Sequence, residues 1–322
     1  MNLLQTIARR VFSILITLFG ASVVVFVILR VLPGNAVTAS LGTSEGLLTK
    51  AQVAALDQYY GVGQPALQQY FSWLHAVLSG NLGVSLTYRQ PVSYMLGNTL
   101  PITLELSFFA IVLGIVIGAG LGLWSGLHPG RWPDALGQSV SVLGLSVPAL
   151  VIGEVLVTWF SRQFHYFPSS ANSVGFFTDP WVNFQQIIFP AFVLSLGIAA
   201  AILRTTRGAV LEVTNLNFAR TALGKGVNRR SFVWRHIFLN SLTAVVTMSG
   251  IQLGYLLGGT VIVENIYVLN GMGRLMITSI LNKDFPVVQS ITLVFAAGFV
   301  IVNMLVDVLN AVIDPRIRKR GA

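Results

Sequence analysis

Residues Leu106–Leu127 read LSFFAIVLGIVIGAGLGLWSGL, and none of these side chains carries a charge. An α-helix needs about 20 mostly apolar residues to cross the hydrocarbon core of a bilayer. Five further stretches have a comparable length and character: Val11–Leu29, Ala135–Phe160, Ile187–Leu203, Leu239–Val263 and Val287–Ile313. The sequence therefore predicts an all-α integral membrane protein with about six transmembrane helices.

Composition supports a membrane protein and excludes several kinds of site. Of the 322 residues, 54% are hydrophobic and only 10% are charged, whereas soluble domains carry about 25% charged residues. The absence of cysteine excludes disulfides, thiolate metal sites and cysteine nucleophiles. The net charge of +9 comes from residues placed between apolar runs. These residues are topology signals rather than a nucleic-acid-binding face, so we expect no nucleic acid partner.

The distribution of basic residues predicts the orientation in the membrane. Of the 20 Lys and Arg residues, 14 fall on the side of the N-terminus, which the positive-inside rule assigns to the cytoplasm. Both termini are therefore predicted to be cytoplasmic. These residues are Arg9, Arg10, Arg131, Arg204, Arg207, Arg220, Lys225, Arg229, Arg230, Arg235, Arg316, Arg318, Lys319 and Arg320.

The predicted spans and this orientation divide the chain into four parts. Residues 1–31 hold the N-terminal segment and the first transmembrane helix, which is longer than a signal-peptide core and is expected to be retained. Residues 32–100 form an extracytoplasmic loop with short helices on either side of Gly61–Pro65. Residues 101–313 form a core of five transmembrane helices that includes a cytoplasmic loop, 204–238, and residues 314–322 are a cytoplasmic tail.

The cytoplasmic loop contains the sequence RTTRGAVLEVTNLNFARTALGKGVNRRSFVWRHIFLN, residues 204–240. A short helix is predicted to end near Lys225, which has a glycine on each side, and a basic helix is predicted over Arg229–Phe238. A short helix between two spans suits the docking of a soluble partner, but a solvated basic loop is an equal alternative. The candidate docking residues are Asn217, Phe218, Ala219, Arg220, Thr221, Ala222, Leu223, Gly224, Lys225 and Gly226. Phe218, Ala222 and Gly226 are expected to share one face that enters a groove on the partner.

This loop resembles the cytoplasmic loop of ABC importer permeases, whose signature is E-A-A, three residues, then Gly. Residues 219–226, ARTALGKG, have the form ARTA-x-x-KG, which is typical of the dipeptide and oligopeptide class. Asn270 departs from the class, which usually has Pro there. Other segments that resemble the class are VLPGNAV (31–37), LSGNLGVSLTYRQPV (78–92), TLPITLEL (99–106), LGLSVPA (143–149), RHIFLNSL (235–242), GGTVIVENIYVLNGMGRL (258–275), DFPVVQS (284–290) and VNMLVDVLNAVIDPRIR (302–318).

The resemblance implies a type I ABC importer permease fold in a bacterial or archaeal cytoplasmic membrane. It also implies a second homologous permease subunit, one or two cytoplasmic ATPase subunits that dock on the short inner helix, and an extracytoplasmic solute-binding protein. The transported solutes of such systems are di- and oligopeptides, with nickel complexes, glutathione or opines as alternatives. Transport would occur by alternating access.

We expect the chain to bind no ATP or Mg²⁺ itself and not to be an enzyme. A P-loop requires Gly-Lys followed by Ser or Thr, but Gly224-Lys225 is followed by Gly226. The four histidines have no metal-ligand spacing, so no metal site is expected. ATP and Mg²⁺ would be bound by the partner ATPase subunits. A secondary transporter or channel without an ATPase partner, and an intramembrane enzyme, are the alternatives from other functional classes.

Two sets of glycines recur every four residues within predicted spans. Such a stripe lets a neighbouring helix approach closely, and it indicates either fixed packing or a surface that slides during transport. The second span carries Gly114, Gly118, Gly122 and Gly126, and the fifth carries Gly250, Gly254 and Gly258.

Three acidic residues lie within predicted spans, where a charge costs at least a few kcal/mol. Glu105 is near the outer end of the second span. Glu154, inside the third, either lines the solute pathway or pairs with a polar group on another helix. Asp307 shares one helix face with Asn303, Asn310 and Asp314. We expect Asp307 to form a buried pair with Arg204 or Arg207.

Overall fold

The computed structural model describes residues 3–31, 64–85, 87–165 and 174–313. Within these ranges the chain is α-helical apart from turns, one π-helix and an isolated β-bridge between Val84 and Pro91, so the all-α prediction is confirmed. The helices are α1 (Leu3–Val31), α2 (Ala66–Leu78), α3 (Val92–Gly126), α4 (Trp132–Ser146), α5 (Ala149–Phe164), α6 (Pro180–Asn215), α7 (Asn217–Gly224), α8 (Leu239–Ile266), α9 (Met272–Leu281) and α10 (Phe285–Ile313).

Four helical stretches are long and apolar enough to cross a membrane: Val92–Gly126, Pro180–Asn215, Arg229–Leu256 and Phe285–Asn310. A bent pair, α4 and α5, makes a fifth if it forms one span. The predicted first span lies in α1, whose apolar part is Ile14–Val27. The number of six spans and the cytoplasmic termini stay predictions.

The predicted third span, Ala135–Phe160, is not one straight helix. It consists of α4 and α5, which meet at an angle of 92°. Val147 between them is extended, with φ −90° and ψ 119°. A residue before proline is driven out of the α-region by a clash with the proline ring. Pro148 therefore excludes Val147 from the helix, and α4 ends at Ser146. Pro148 then serves as the N-cap of α5.

One compact unit comprises Met1–Pro101 with Gly271–Val300. In this unit the first turns of α3 pack against α9 and α10 through buried side chains, namely Val92, Met95, Leu96, Met272, Val287 and Ile291. Helices α1 and α2 meet through the ring of Phe26 against Tyr70, and Tyr70 Oη lies 2.8 Å from Ser22 Oγ. Helix α2 is the second of the two helices predicted in the outer loop. The first, and the tail 314–322, lie outside the described residues.

Asp284 ties two motif segments together within this unit. Its side chain is fully buried, and its carboxylate accepts hydrogen bonds from the Ser85 hydroxyl and, at 3.2 Å, from the Thr87 backbone N–H. Ser85 belongs to the segment LSGNLGVSLTYRQPV and Asp284 opens DFPVVQS. A buried carboxylate with donors from two directions holds these segments in register.

The other compact unit comprises Ile102–Asn270 with Ile301–Ala322. Its centre is a close contact between α3 and α6. A Cβ atom built on Gly118 would lie 2.6 Å from the carbonyl oxygen of Ala199, and one on Gly122 would lie 2.7 Å from that of Leu203. Gly114 and Gly126 have equally close neighbours on α6. The glycine stripe of the second span therefore brings the two helices to backbone contact.

The glycines of the fifth span behave differently from one another. A Cβ on Gly250 would collide with the side chain of Val306 on α10, whereas a Cβ on Gly258 would meet nothing within 4 Å. Gly258 is exposed in the described chain and contacts no neighbouring helix there, so its packing role stays a prediction. Gly254 lies between them and is half-buried.

An ion pair between a buried carboxylate and a partly exposed guanidinium links α4 to α6 in the same unit. Arg207 on α6 donates from Nε to Asp134 Oδ1 at 2.5 Å and from Nη2 to Oδ2 at 3.1 Å. Asp134 also accepts from Ser125 Oγ and from the Gly130 N–H, both at 3.0 Å. Asp134 lies in the first turn of α4, where a helix dipole favours a negative charge. The predicted pairing of Arg207 with Asp307 is therefore wrong.

The α3–α6 contact predicts a difference between two glycines that are two residues apart. Gly118→Ala must displace the α6 backbone, and overpacking of this kind costs about 1–3 kcal/mol. We expect Gly118→Ala to lower the midpoint of thermal denaturation in detergent. The midpoint is measured from the fluorescence of the protein that stays monodisperse after heating. Gly120→Ala is the matched control, because a Cβ there meets nothing within 4 Å. Equal denaturation midpoints for the two variants would contradict the close contact.

The Asp134–Arg207 pair predicts strong coupling in a double-mutant cycle. Arg207→Gln alone leaves the buried Asp134 carboxylate without its ion-pair partner, which costs about 3–5 kcal/mol. Asp134→Asn leaves the partly exposed Arg207 without its partner and should cost less. The double variant removes both charges and is expected to be more stable than the sum of the single effects indicates, by at least about 1 kcal/mol. Thermal denaturation of the four proteins measures this coupling. Additive effects would mean that the two side chains do not interact in the membrane.

Candidate functional site

Helix α7 is a separate short helix that ends in a defined cap. Leu216, extended at φ −71° and ψ 149°, separates it from α6. At its other end Gly226 N donates to Leu223 O at 3.0 Å and Val227 N to Ala222 O at 3.3 Å. This pair of bonds is a Schellman motif, and it requires the left-handed conformation of Gly226, φ +74°.

One side of α7 packs on the chain itself. Ala219 is 0% exposed and Ala222 is 8% exposed, and both join a small core with Val210, Val213, Phe232 and Ile237. Sequence reasoning placed Ala222 with Phe218 on the face that enters a partner's groove. That assignment is wrong for Ala222, because the spacing of 219 and 222 turns both alanines towards α6 and the segment after Asn228.

The opposite side of α7 is open. At about 100° per residue, Asn217, Arg220, Thr221 and Gly224 cluster on the side away from the two alanines, and all four are exposed. Phe218, 40% exposed, and Leu223, 54% exposed, border this side. The free face of α7 is therefore polar with a single positive charge, and it has an apolar residue along each edge.

The segment that supports α7 is a π-helix. The expected α-helix over Arg229–Phe238 is limited to Arg229–Ser231, which Asn228 caps by accepting from the Arg230 N–H at 3.0 Å. A π-helix follows at Phe232–Phe238 and leads into α8. Two of its residues, Phe232 and Ile237, belong to the core beneath α7. π-helical turns are rare and are frequently found at functional sites.

Glu105 has a partner that sequence reasoning missed. Its Oε2 accepts from Asn183 Nδ2 at 3.1 Å, and Asn183, 3% exposed, also donates to the Val174 carbonyl at 3.0 Å. The remaining oxygen of each side chain, Glu105 Oε1 and Asn183 Oδ1, is buried without a described hydrogen-bond partner. Asn183 was overlooked because it lies four residues before the predicted start of its span.

Glu264 is a buried acidic residue that sequence reasoning overlooked. It is fully buried in α8, where its Oε1 accepts from Thr103 Oγ1 at 2.7 Å. The predicted fifth span ended at Val263, so Glu264 was counted with the following loop. Its position inside the motif GGTVIVENIYVLNGMGRL was the one signal in the sequence that could have found it.

The other two predicted acids lie on the surface of the isolated chain. Glu154 on α5 and Asp307 on α10 are both exposed, as is Asn303. The expectation of a buried pair for Asp307 is therefore wrong. Asn310, on the same face as Asp307, donates to Thr247 Oγ1 on α8 at 3.1 Å. Glu105, Glu154 and Asp307 are on three different helices and do not form a single cluster.

Comparisons with known proteins cover nearly the whole chain. Residues 114–319 match the family described as the inner membrane component of binding-protein-dependent transport systems, and residues 3–107 match its N-terminal domain. The chain is 34% identical over 317 residues to the glutathione transport system permease protein GsiC of Escherichia coli strain K12, covering 98% of this chain and 99% of that protein. It is also 34% identical over 321 residues to GsiC of Salmonella typhimurium strain LT2, with the same coverage.

These matches confirm the resemblance drawn from the loop and from the segments around it. The family is one of membrane permeases and not of enzymes. Several helices of the chain are long and apolar enough to span a bilayer. The chain therefore belongs to the family of inner-membrane permease components of binding-protein-dependent ABC importers, as a multi-pass protein of the cytoplasmic membrane.

Proposed function

We propose that this chain forms, together with a second homologous permease, the translocation pathway for glutathione or similar short peptides. Support for the solute comes from the relatives, whose name refers to glutathione and which match the chain over nearly its full length. Glutathione is itself a tripeptide, so it fits the peptide class that the motifs indicate. An extracytoplasmic binding protein delivers the solute, and selection of the solute rests largely on that protein.

We further propose that ATP hydrolysis by partner subunits, which hold ATP and Mg²⁺, drives alternating access through α7. The observation that carries this proposal is the two-sided character of α7. One side packs on the chain's own core, and the other side exposes Arg220 and its neighbours to solvent. A partner that binds the free side of α7 would move α6 and the π-helix together with α7, because Ala219 and Ala222 pack against both.

The partner can drive transport only if it binds the two orientations of the permease with different affinity. Moving an equilibrium from 1:99 to 99:1 takes about 5.5 kcal/mol of differential binding. A helix of eight residues cannot supply this through one weak surface contact. The apolar edges at Phe218 and Leu223 supply surface that becomes buried in a partner's groove, which is the helix-in-groove mode of recognition.

Reversal of the charge on the free face of α7 tests the docking role. Arg220→Glu leaves the membrane part unchanged because Arg220 is exposed, but it opposes the partner surface that accepts a positive charge. A charged hydrogen bond is worth about 1.5–3 kcal/mol, so we expect at least about a tenfold loss of ATP-dependent uptake. Retention of the ATPase subunits on purification is measured in parallel.

Two further variants complete this test. Arg230→Glu is the matched control, an exposed cation on the same loop outside α7, and it should keep uptake and subunit binding. Ala222→Glu buries an unpaired charge in the core beneath α7 and should reduce the amount of folded chain. If Arg220→Glu keeps full uptake and full subunit binding, the loop is only a topology signal and the docking role is refuted.

Glu154 is proposed to face the solute pathway or the second permease. An acid on the surface of a membrane-spanning helix is too costly to leave against lipid. Glu154→Leu is expected to lower uptake by about tenfold, the value of one charged hydrogen bond, without lowering membrane abundance. Thr158→Val, an exposed change one turn further along α5, is the control. Normal uptake by Glu154→Leu would remove Glu154 from the pathway.

A further inference from the structure

A cavity with both apolar and polar side chains in its wall lies between α4 and α6. It has a volume of about 450 Å³, within the range of about 300–1,000 Å³ for small-molecule sites. Its described polar lining is Gln138, Ser141 and Ser146 from α4, with Arg204 and Arg207 from α6. Apolar side chains, including Leu145 and Leu203, complete the wall. None of the described lining residues is acidic.

The two guanidinium groups of this cavity differ in their partners. Arg207 is bound through two nitrogens by the carboxylate of Asp134, which balances its charge. Arg204, one helical turn earlier, is exposed and makes no hydrogen bond or ion pair with any described residue. The cavity therefore holds one uncompensated positive charge next to an exposed amide, Gln138.

We infer that this cavity binds a carboxylate of the transported solute, with Arg204 as the principal donor; this inference rests on the proposed function. A guanidinium presents parallel N–H groups that match the two oxygens of a carboxylate. Glutathione carries two carboxylates and every free peptide carries at least one, so the site suits the whole proposed solute class.

The position of the cavity suits a late step of transport. Arg204 opens the predicted cytoplasmic loop, so the cavity lies towards the inner side of the membrane. A single unpaired cation binds a carboxylate weakly in contact with water, which favours release rather than retention. The phosphate of an anionic lipid shares this chemistry, and the experiment separates the two sources.

The absence of cysteine from the chain makes a direct test possible. Gln138→Cys places one thiol in the cavity of the assembled complex, reconstituted in phosphatidylcholine nanodiscs with cysteine-free partner subunits. Reaction with an anionic and with a cationic methanethiosulfonate reagent is followed by mass spectrometry of this chain. One charge at about 6 Å in water changes a reaction rate about threefold. Because Arg204 speeds the anionic reagent and slows the cationic reagent by this factor each, we expect the ratio of the two rates to exceed the ratio for a free thiol by about tenfold.

Arg204→Gln should abolish this preference, and Arg131→Gln should keep it. Arg131 is the matched control because it is an exposed cation next to α4 and is absent from the cavity lining. S-methylglutathione, which has no free thiol, should slow labelling with Arg204 present and not in Arg204→Gln. Its diethyl ester, which has no carboxylate, should not protect. Equal reagent preferences with and without Arg204, or no protection by S-methylglutathione, would overturn the inference.

A lipid arm and an uptake arm separate the remaining explanations. If phosphatidylglycerol in the nanodisc gives Arg204-dependent protection and S-methylglutathione gives none, the site binds lipid phosphate and the carboxylate assignment is wrong. ATP-dependent glutathione uptake is measured in proteoliposomes of the same proteins. Absence of ATP-dependent glutathione uptake by the complex without substitutions would refute the proposed function. Normal uptake by Arg204→Gln together with absent protection would refute only the carboxylate site.

Discussion

Close contact between the backbones of α3 and α6 is the constraint on which the second compact unit depends. Lipid tails are as apolar as the side chains, so helices in a bilayer gain little from hydrophobic burial and associate through close packing. Gly118 and Gly122 permit that packing because any side chain there would strike a carbonyl of α6. This backbone contact therefore fixes the position of α6, and with it the position of every site that α6 helps to form.

Helix α6 carries three such features along its C-terminal half. Arg204 lines the cavity between α4 and α6, Arg207 is bound by Asp134, and the end of the helix supports α7. Because α7 packs on the end of α6 beyond the break at Leu216, a displacement of α7 acts on the same helix that lines the cavity. The bend at Val147–Pro148 separates α4, on the cavity wall, from α5.

Sequence reasoning succeeded where the physical signal is local. Apolar runs located the long helices, glycine spacing located the α3 stripe, and the glycines beside Lys225 located the end of α7. It failed where the answer depends on what lies opposite. Periodicity put Ala222 on a face but could not say whether that face points inwards. The partners of Arg207 and Glu264 are 73 and 161 residues away along the chain, and no local pattern encodes such separations. The bend before Pro148 is different, because it could have been predicted from the sequence. A proline disfavours the helical conformation of the residue before it, and this rule was not applied to Val147.

The distribution of acids between buried and exposed positions separates structural from functional roles. Asp134 and Glu264 are buried, and each has a donor from another helix, so their cost is offset within the chain. Glu154 instead is exposed on α5, half of the bent pair that could form one span. A charge facing lipid costs at least a few kcal/mol. The surface around Glu154 is therefore expected to face water or another protein subunit rather than lipid.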